Sequence, residues 1–204
     1  MSSFPTPLIL ASRSPRRKKL LHQIGLRFRI IPSGADETFQ KGISPAQNAR
    51  RVALRKARDV AGGLKNGIVI GADTIVVLNR HILGKPVSLK DAKRMLHLLS
   101  GKKHCVYTGI ALVDVRSRQE WSAVERTFVK FRKLSSEEID RYAASGSPMD
   151  KAGAYGIQDD YGAVFVEEVN GCFNNVVGFP LARFSLLLES ALSSLRTKKK
   201  SLLL

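Results

Sequence analysis

The sequence predicts an α/β or α+β fold, with one sheet and helices packed on it. Three observations lead there. Strand-like and helix-like stretches alternate along the whole chain. The apolar run "GIVIGADTIVVLN" (67–79) reads as a central strand. Two longer β segments, "KHCVYTGIALVDV" (103–115) and "EWSAVERTFVKFR" (120–132), flank a polar turn around Arg116 to Arg118 and read as an antiparallel pair. At 204 residues and 44% hydrophobic content, the chain is long enough for one domain with a real core.

Each element follows from its residues. "LILA" (8–11) is a first buried strand, and Ser14 to Ile24 a helix, with Ser14 as N-cap and Pro15 at the first helical position. "FRIIPS" (28–33) reads as a second strand and Ser44 to Ala61 as a longer helix. The central run at 67–79 is expected to be interrupted in its middle. A helix from Leu89 to Leu99 leads into the β pair. "SSEEIDRYAAS" (135–145) is a helix that starts with a serine cap and places Glu137 and Glu138 in its first turn, as the helix dipole prefers. "AVFVEEV" (163–169) is another strand, and Asn175 to Leu195 an amphipathic helical stretch. No internal repeat or low-complexity linker divides the chain, so residues 1–196 read as a single domain and 197–204 as a frayed basic tail.

Charge narrows the partner. With 34 Lys plus Arg against 17 Asp plus Glu, the net charge is +17, which favours a nucleic acid, a nucleotide or an acidic membrane surface without choosing among them. Cys105 and Cys172 lie far apart, with no metal or redox spacing, so neither a zinc site nor a disulfide framework is expected, and a reducing cytoplasm is the default. No basic residue precedes the short apolar run of "MSSFPTPLILAS", and no apolar run approaches the roughly 18 residues of a membrane span. A soluble protein is expected.

Three stretches carry candidate chemistry. In "ASRSPRRKKLL" (11–21), Arg16, Arg17, Lys18 and Lys19 crowd the start of a helix, where the dipole disfavours cations. A bound anion removes the conflict, because free N–H groups and arginine forks both hold phosphate oxygens. Arg17 shares a helical face with Leu20, Leu21 and Ile24, at the border of the apolar stripe. A solvated basic turn is the plainer alternative. In "VIGADTIVV", Asp73 is costly to bury alone and is the best candidate acid or base, with an Asp capping a turn as the alternative. Nearby, Lys85 precedes a proline in "LGKP", and "GADETF" offers Asp36 and Glu37, able to hold Mg²⁺ with phosphates and water. In "DKAGAYGIQ" (150–158), glycines permit close backbone approach and the Gln158 amide can pair with a base edge, unless this is an ordinary glycine-rich loop.

These segments, "LASRSPRR", "ADE", "GADT", "GKP", "SGKKHCVYTG", "DKAGAYGIQ" and "NVVGFPL", occur in that order from Leu8 to Leu181, and together they resemble the Maf family of nucleoside triphosphate pyrophosphatases. "DKAGAYGIQ" is similar to the branch acting on dTTP and UTP rather than on methylated guanosine triphosphate. The resemblance implies an α/β fold with a mixed β-sheet flanked by helices, related to inosine triphosphate pyrophosphatases. It also implies a homodimer and a divalent metal, Mg²⁺ or Mn²⁺. Carried onto this sequence, it makes Asp73 the proton acceptor, with Lys56 and Lys85 beside it. Arg16, Thr74 and Gln158 take the specificity positions, Ser12 and Arg17 bind substrate, and Glu37 joins Asp73 at the metal. Two departures stand out: Lys19 replaces a usual Glu, and "GCF" (171–173) replaces the commoner Gly-Ser-Tyr. The first makes the opening turn more basic still.

The expected reaction is water attack on the α-phosphorus of dTTP, UTP or a modified pyrimidine nucleotide, releasing pyrophosphate and leaving a nucleoside monophosphate. Two other classes compete: a basic nucleic-acid-binding protein, and a nucleotide-binding regulator of cell division that does not hydrolyse. The intact "GADT" argues against both, while the basic surface is expected to bind nucleic acid weakly.

Overall fold

The computed structural model describes residues 6–158 and 161–201. Strand β1 (Leu8–Leu10), helix α1 (Pro15–Gln23), β2 (Arg29–Ile30), α2 (Pro45–Gly62), β3 (Ile68–Leu78) and β4 (His81–Leu83) form the first half. Then come α3 (Leu89–Leu99), β5 (Lys103–Asp114), β6 (Glu120–Phe131), α4 (Ser136–Ala144), β7 (Val166–Asn170), α5 (Phe173–Val177) and α6 (Leu181–Ser201). The seven strands make one mixed sheet in the order β2-β1-β3-β5-β6-β7, with β4 added to β3. β1 runs parallel to β2 and β3, whereas β3–β5, β5–β6 and β6–β7 are antiparallel. The α/β expectation therefore holds.

Alternation along β3 sorts the helices onto two faces. Val69 packs with Ile9, Ala111 and Val113 under Ala53, Ala57 and Val60 of α2. On the other face, Ile68, Ile70 and Ala72 join Leu20 and Leu21 of α1 and Phe184 and Leu188 of α6. Val76 and Leu78 join a separate cluster with Met95, Leu96 and Leu99 of α3 and Ile139 and Tyr142 of α4. Between these two clusters, on the same face, lies Thr74.

Several expectations need correction. The central strand is not interrupted: Gly71 and Gly109 leave room for α2, since a Cβ on either would lie 2.1 Å from the Ala53 carbonyl oxygen or 2.2 Å from that of Ala49. Small residues there mark close helix approach rather than a break. Only Arg29 and Ile30 of 28–33 form strand, and the Ile31 N–H makes a further hydrogen bond to the Leu10 carbonyl of β1. β4, unforeseen, follows a two-residue turn in which Asn79 and Arg80 both take positive φ (48° and 69°), the twist that suits a hairpin. The stretch 175–195 divides at Gly178–Pro180 into α5 and α6. α6 runs on through Ser201, so residues 197–201 of the expected frayed tail continue a helix, while 202–204 lie outside the described residues. Among the described residues, no helix is long and apolar enough to cross a membrane.

Candidate active site

The sheet is open at one place. β1 pairs with β3 from Ile68 to Ile70, and β4 pairs with it from Val76 to Leu78. Among the described residues, the segment 71–75 has no strand on that side. Side chains from both faces of β3 therefore reach one cleft of about 520 Å³. It lies beyond the carboxyl end of β1, where open α/β sheets commonly bind ligands. Its lining includes Arg13, Arg16, Arg17, Lys56, Lys85 and Lys151 against Glu37, Asp73 and Asp150, a surplus of cations suited to a polyanion.

On the α2 face, Asp73 is only 6% exposed and meets Lys56, itself 7% exposed, at 2.8 Å between Nζ and Oδ1. The same ammonium lies 2.8 Å from Glu37 Oε1, and Lys85 Nζ stands 3.6 Å from Glu37 Oε2. Asp73 Oδ2 is buried without a hydrogen-bond partner among the described residues. Burial pushes the Asp73 carboxyl above its ordinary value, against the opposing pull of Lys56 and Arg17. Burial also acts to raise Glu37, but Lys56, Lys85 and Arg17 outweigh it and hold that carboxyl below its ordinary value. The adjacent acids of "ADE" thus part company: Glu37 turns into the cleft, while Asp36 turns to Arg55 and Thr38.

On the opposite face the groups are neutral acceptors around one guanidinium. Ser14 caps α1, its hydroxyl accepting from the Arg17 N–H. The Arg17 side chain donates to the Gly178 carbonyl at 3.0 Å, to Ser12 Oγ at 3.2 Å and to Thr74 Oγ1 at 3.1 Å. The edge position expected for Arg17 is the one it occupies. Arg16 crosses the cleft mouth to Asp150, donating to its carboxylate at 2.8 Å and its carbonyl at 3.1 Å. Those partners, absent from the local sequence, relieve the crowding of cations at the start of α1. Gln158 lines the same cleft from the glycine-rich segment.

The structure brings together Ser12, Arg16, Arg17, Glu37, Lys56, Asp73, Thr74, Lys85 and Gln158 around one cleft. It adds residues to which no role was assigned. Asp150 holds Arg16, and a buried chain of polar groups stands behind Thr74. Thr74 and Thr108 hydroxyls are 2.9 Å apart, Thr108 Oγ1 donates to the Asn175 carbonyl at 3.0 Å, and Asn175 Nδ2 donates to Thr127 Oγ1 at 2.9 Å. Threonines in β strands are common, so only the register could single these out.

A divalent cation can be tested against these donors. Mg²⁺ takes one or two carboxylates and completes its shell with phosphates and water. Glu37 and the unpartnered Asp73 Oδ2 fit that pattern. Among the described residues, no group of three or more His, Cys, Asp or Glu side chains comes together for a closed metal site.

The family model described as "Maf-like protein" matches residues 7–191. The chain is 50% identical over 182 residues to a dTTP/UTP pyrophosphatase of Pelotomaculum thermopropionicum, covering 89% of this chain and 95% of that one. It is 48% identical over 183 residues to a dTTP/UTP pyrophosphatase of Ruminiclostridium cellulolyticum, covering 89% and 94%. A solved structure titled nucleoside-triphosphatase / dITP/XTP pyrophosphatase, from Mycobacterium abscessus, overlaps 93% of this chain and 97% of its own at a TM-score of 0.43 and 14% identity, too loosely to bear on function.

Proposed function

The chain belongs to the Maf-like protein family, and from that premise we propose that it hydrolyses dTTP and UTP, with modified pyrimidine nucleotides included, to the nucleoside monophosphate and pyrophosphate. One observation carries the proposal beyond kinship: the buried carboxylate of Asp73, whose Oδ2 has no hydrogen-bond partner among the described residues, belongs to the lining of a cleft whose cations outnumber its acids.

The residues divide the work. Asp73 Oδ2 takes a proton from a water as its oxygen bonds to the α-phosphorus. The α–β anhydride bond breaks, pyrophosphate departs with the bond's electron pair, and the α-phosphate stays on the nucleoside. Lys56 holds Asp73 by its other oxygen, and its charge draws the carboxyl towards the ionised form against the effect of burial. Arg16, Arg17 and Lys85 face the charge that spreads over the phosphate oxygens. A Mg²⁺ or Mn²⁺ ion, when bound, would screen the triphosphate charge and polarise the phosphoryl oxygens, with Glu37 and Asp73 as its protein ligands. Thr74 and Gln158 face the pyrimidine, and Ser12 and Arg17 the phosphates. A homodimer and a cytoplasmic location belong to the same reading and rest on the resemblance and on cysteine usage.

The test is pyrophosphate release from a panel of nucleoside triphosphates with Mg²⁺ or Mn²⁺, beside Asp73→Asn. Pyrophosphate and monophosphate from dTTP and UTP, lost in the variant, are the expected result. Absence of hydrolysis of any nucleotide would leave a binding protein.

A further inference from the structure

The segment between β2 and α2 contains no helix or strand, yet one helix ties it down at three points. Asp59 Oδ2 accepts from Ser33 Oγ at 2.8 Å and from the Gly34 N–H at 2.9 Å. Arg55 donates to Asp36 Oδ2 at 3.1 Å and to the Thr38 carbonyl at 2.6 Å. Asn48, 2% exposed, accepts from the Gln40 N–H at 2.8 Å and donates to the Gln40 carbonyl at 3.0 Å. In sequence these three stand seven and four residues apart, which places them on one stripe of α2.

A second stripe, Ala49, Ala53 and Ala57, faces the sheet. Lys56 falls between the two, which is why one ammonium meets both Asp73 from the sheet and Glu37 from the segment. Asp36 also accepts from the Thr38 N–H at 2.8 Å and from the Thr38 hydroxyl, a tight local turn that sends Glu37 to the other side. Among the described residues, the Glu37 side chain meets α2 at Lys56 and also stands near Lys85, while the backbone that carries it is held by the three posts.

We propose that Asn48, Arg55 and Asp59 are positioning residues that hold segment 33–40 against α2 and thereby fix Glu37 for cation and phosphate binding. The inference deepens the hydrolase reading and rests on it for the role of Glu37. Groups that orient a metal-binding carboxylate are typically worth about 10–100-fold in affinity.

Arg55→Ala and Asp59→Ala test it without touching the core. Amide exchange at Gly34 to Gln40 is expected to quicken while exchange in β3 and β5 stays as in the parent. Mn²⁺ titrated calorimetrically into protein saturated with α,β-methylene-dUTP is expected to bind about tenfold more weakly. In steady-state hydrolysis, the KM for Mn²⁺ rises while kcat at saturating Mn²⁺ holds. In a Glu37→Gln background, Arg55→Ala is expected to add no further loss of Mn²⁺ affinity. Unchanged exchange, unchanged Mn²⁺ affinity, an equal loss in the Glu37→Gln background, or a parent protein that takes up no Mn²⁺ would each overturn the proposal. A parent that binds Mn²⁺ but hydrolyses nothing overturns the hydrolase reading instead, and leaves exchange and calorimetry to decide the posts.

Discussion

Asp73 and Thr74 are neighbours in β3, yet they live in opposite electrostatic worlds. Asp73 points to the α2 face, into a network of ion pairs: buried Lys56 lies between Asp73 and the half-exposed Glu37, Lys85 stands beside Glu37, and one Asp73 oxygen is left over. Thr74 points to the other face, where it accepts from Arg17 and where hydroxyls, an amide and carbonyls hydrogen-bond one another across β3, β5 and β6, with the buried Asn175 Oδ1 unpartnered among the described residues. A carboxylate is costly to bury and persists where reactivity needs it, whereas hydrogen bonds among neutral groups rigidify. The contrast assigns chemistry to one face and orientation to the other, and the two meet only because β3 is uncovered from 71 to 75.

The sharpest attempt to break this contrast is Asp73→Asn. Loss of the proton acceptor is expected to cut pyrophosphate release by about 10²-fold or more, with a cooperative unfolding transition retained. Wild-type turnover in that variant would remove chemistry from the α2 face. Next in size is Lys56→Met, which leaves Asp73 without its ion-pair partner. Breaking a buried pair from one side costs about 3–5 kcal/mol, readable by urea unfolding at neutral pH. The sign of its pH dependence follows from Asp73, whose folded pKa is raised. A raised carboxyl favours the fold when protonated, and that stability is lost as pH rises through the unfolded and then the folded value. Without Lys56 the folded value climbs further, so the deficit against the parent should shrink as the medium is acidified. A deficit independent of pH would point to lost packing instead.

His104 extends the neutral face. Buried at 2% exposure, its Nε2 lies 2.8 Å from the Tyr155 hydroxyl, and burial brings its pKa down to about 4. Here the folded form binds its proton less readily than the unfolded chain. Stability from a neutral His104 is therefore full above the ordinary histidine value of about 6.5 and is lost as pH falls towards 4. A shift of that size is worth about 3 kcal/mol. Urea unfolding at pH 7 and pH 4.5 should show the parent losing more stability than His104→Gln. Equal losses would mean that this ring titrates normally and that the face is less apolar than its packing says.

Local chemistry made much of this legible. Ser14–Pro15 and Ser135 with Glu138 announce helix starts, and the polar turn between two apolar runs announces the β5–β6 hairpin, because those signals act over a few residues. Asp73 stood out for a related reason, as a charge within an apolar strand. Pairings set by register did not. Nothing near Thr108 or Asn175 in sequence says that they meet behind Thr74, and nothing near Arg16 says that Asp150 lies opposite. The break expected within 67–79 is absent because Gly71, where α2 comes close, stays paired with Ala111, and that partner lies far away in sequence.

The smallest expected effect tests the orienting face most directly. Thr108→Val keeps shape but removes the hydroxyl between Thr74 and the Asn175 carbonyl, leaving that buried carbonyl one donor short. The Gly178 N–H still donates to that carbonyl, so the loss is about 0.5–1.5 kcal/mol, and Thr108→Ser should recover most of it. Thr74 retains its donor from Arg17 and its contact with the Gly178 carbonyl, so its hydroxyl is loosened rather than displaced. If this face only orients, KM for dTTP should rise by about threefold, the size of one modest hydrogen bond, with kcat unchanged. A fall in kcat comparable to that of Asp73→Asn would show that the two faces share the chemistry, and the division between them would fail at the residue closest to the open edge.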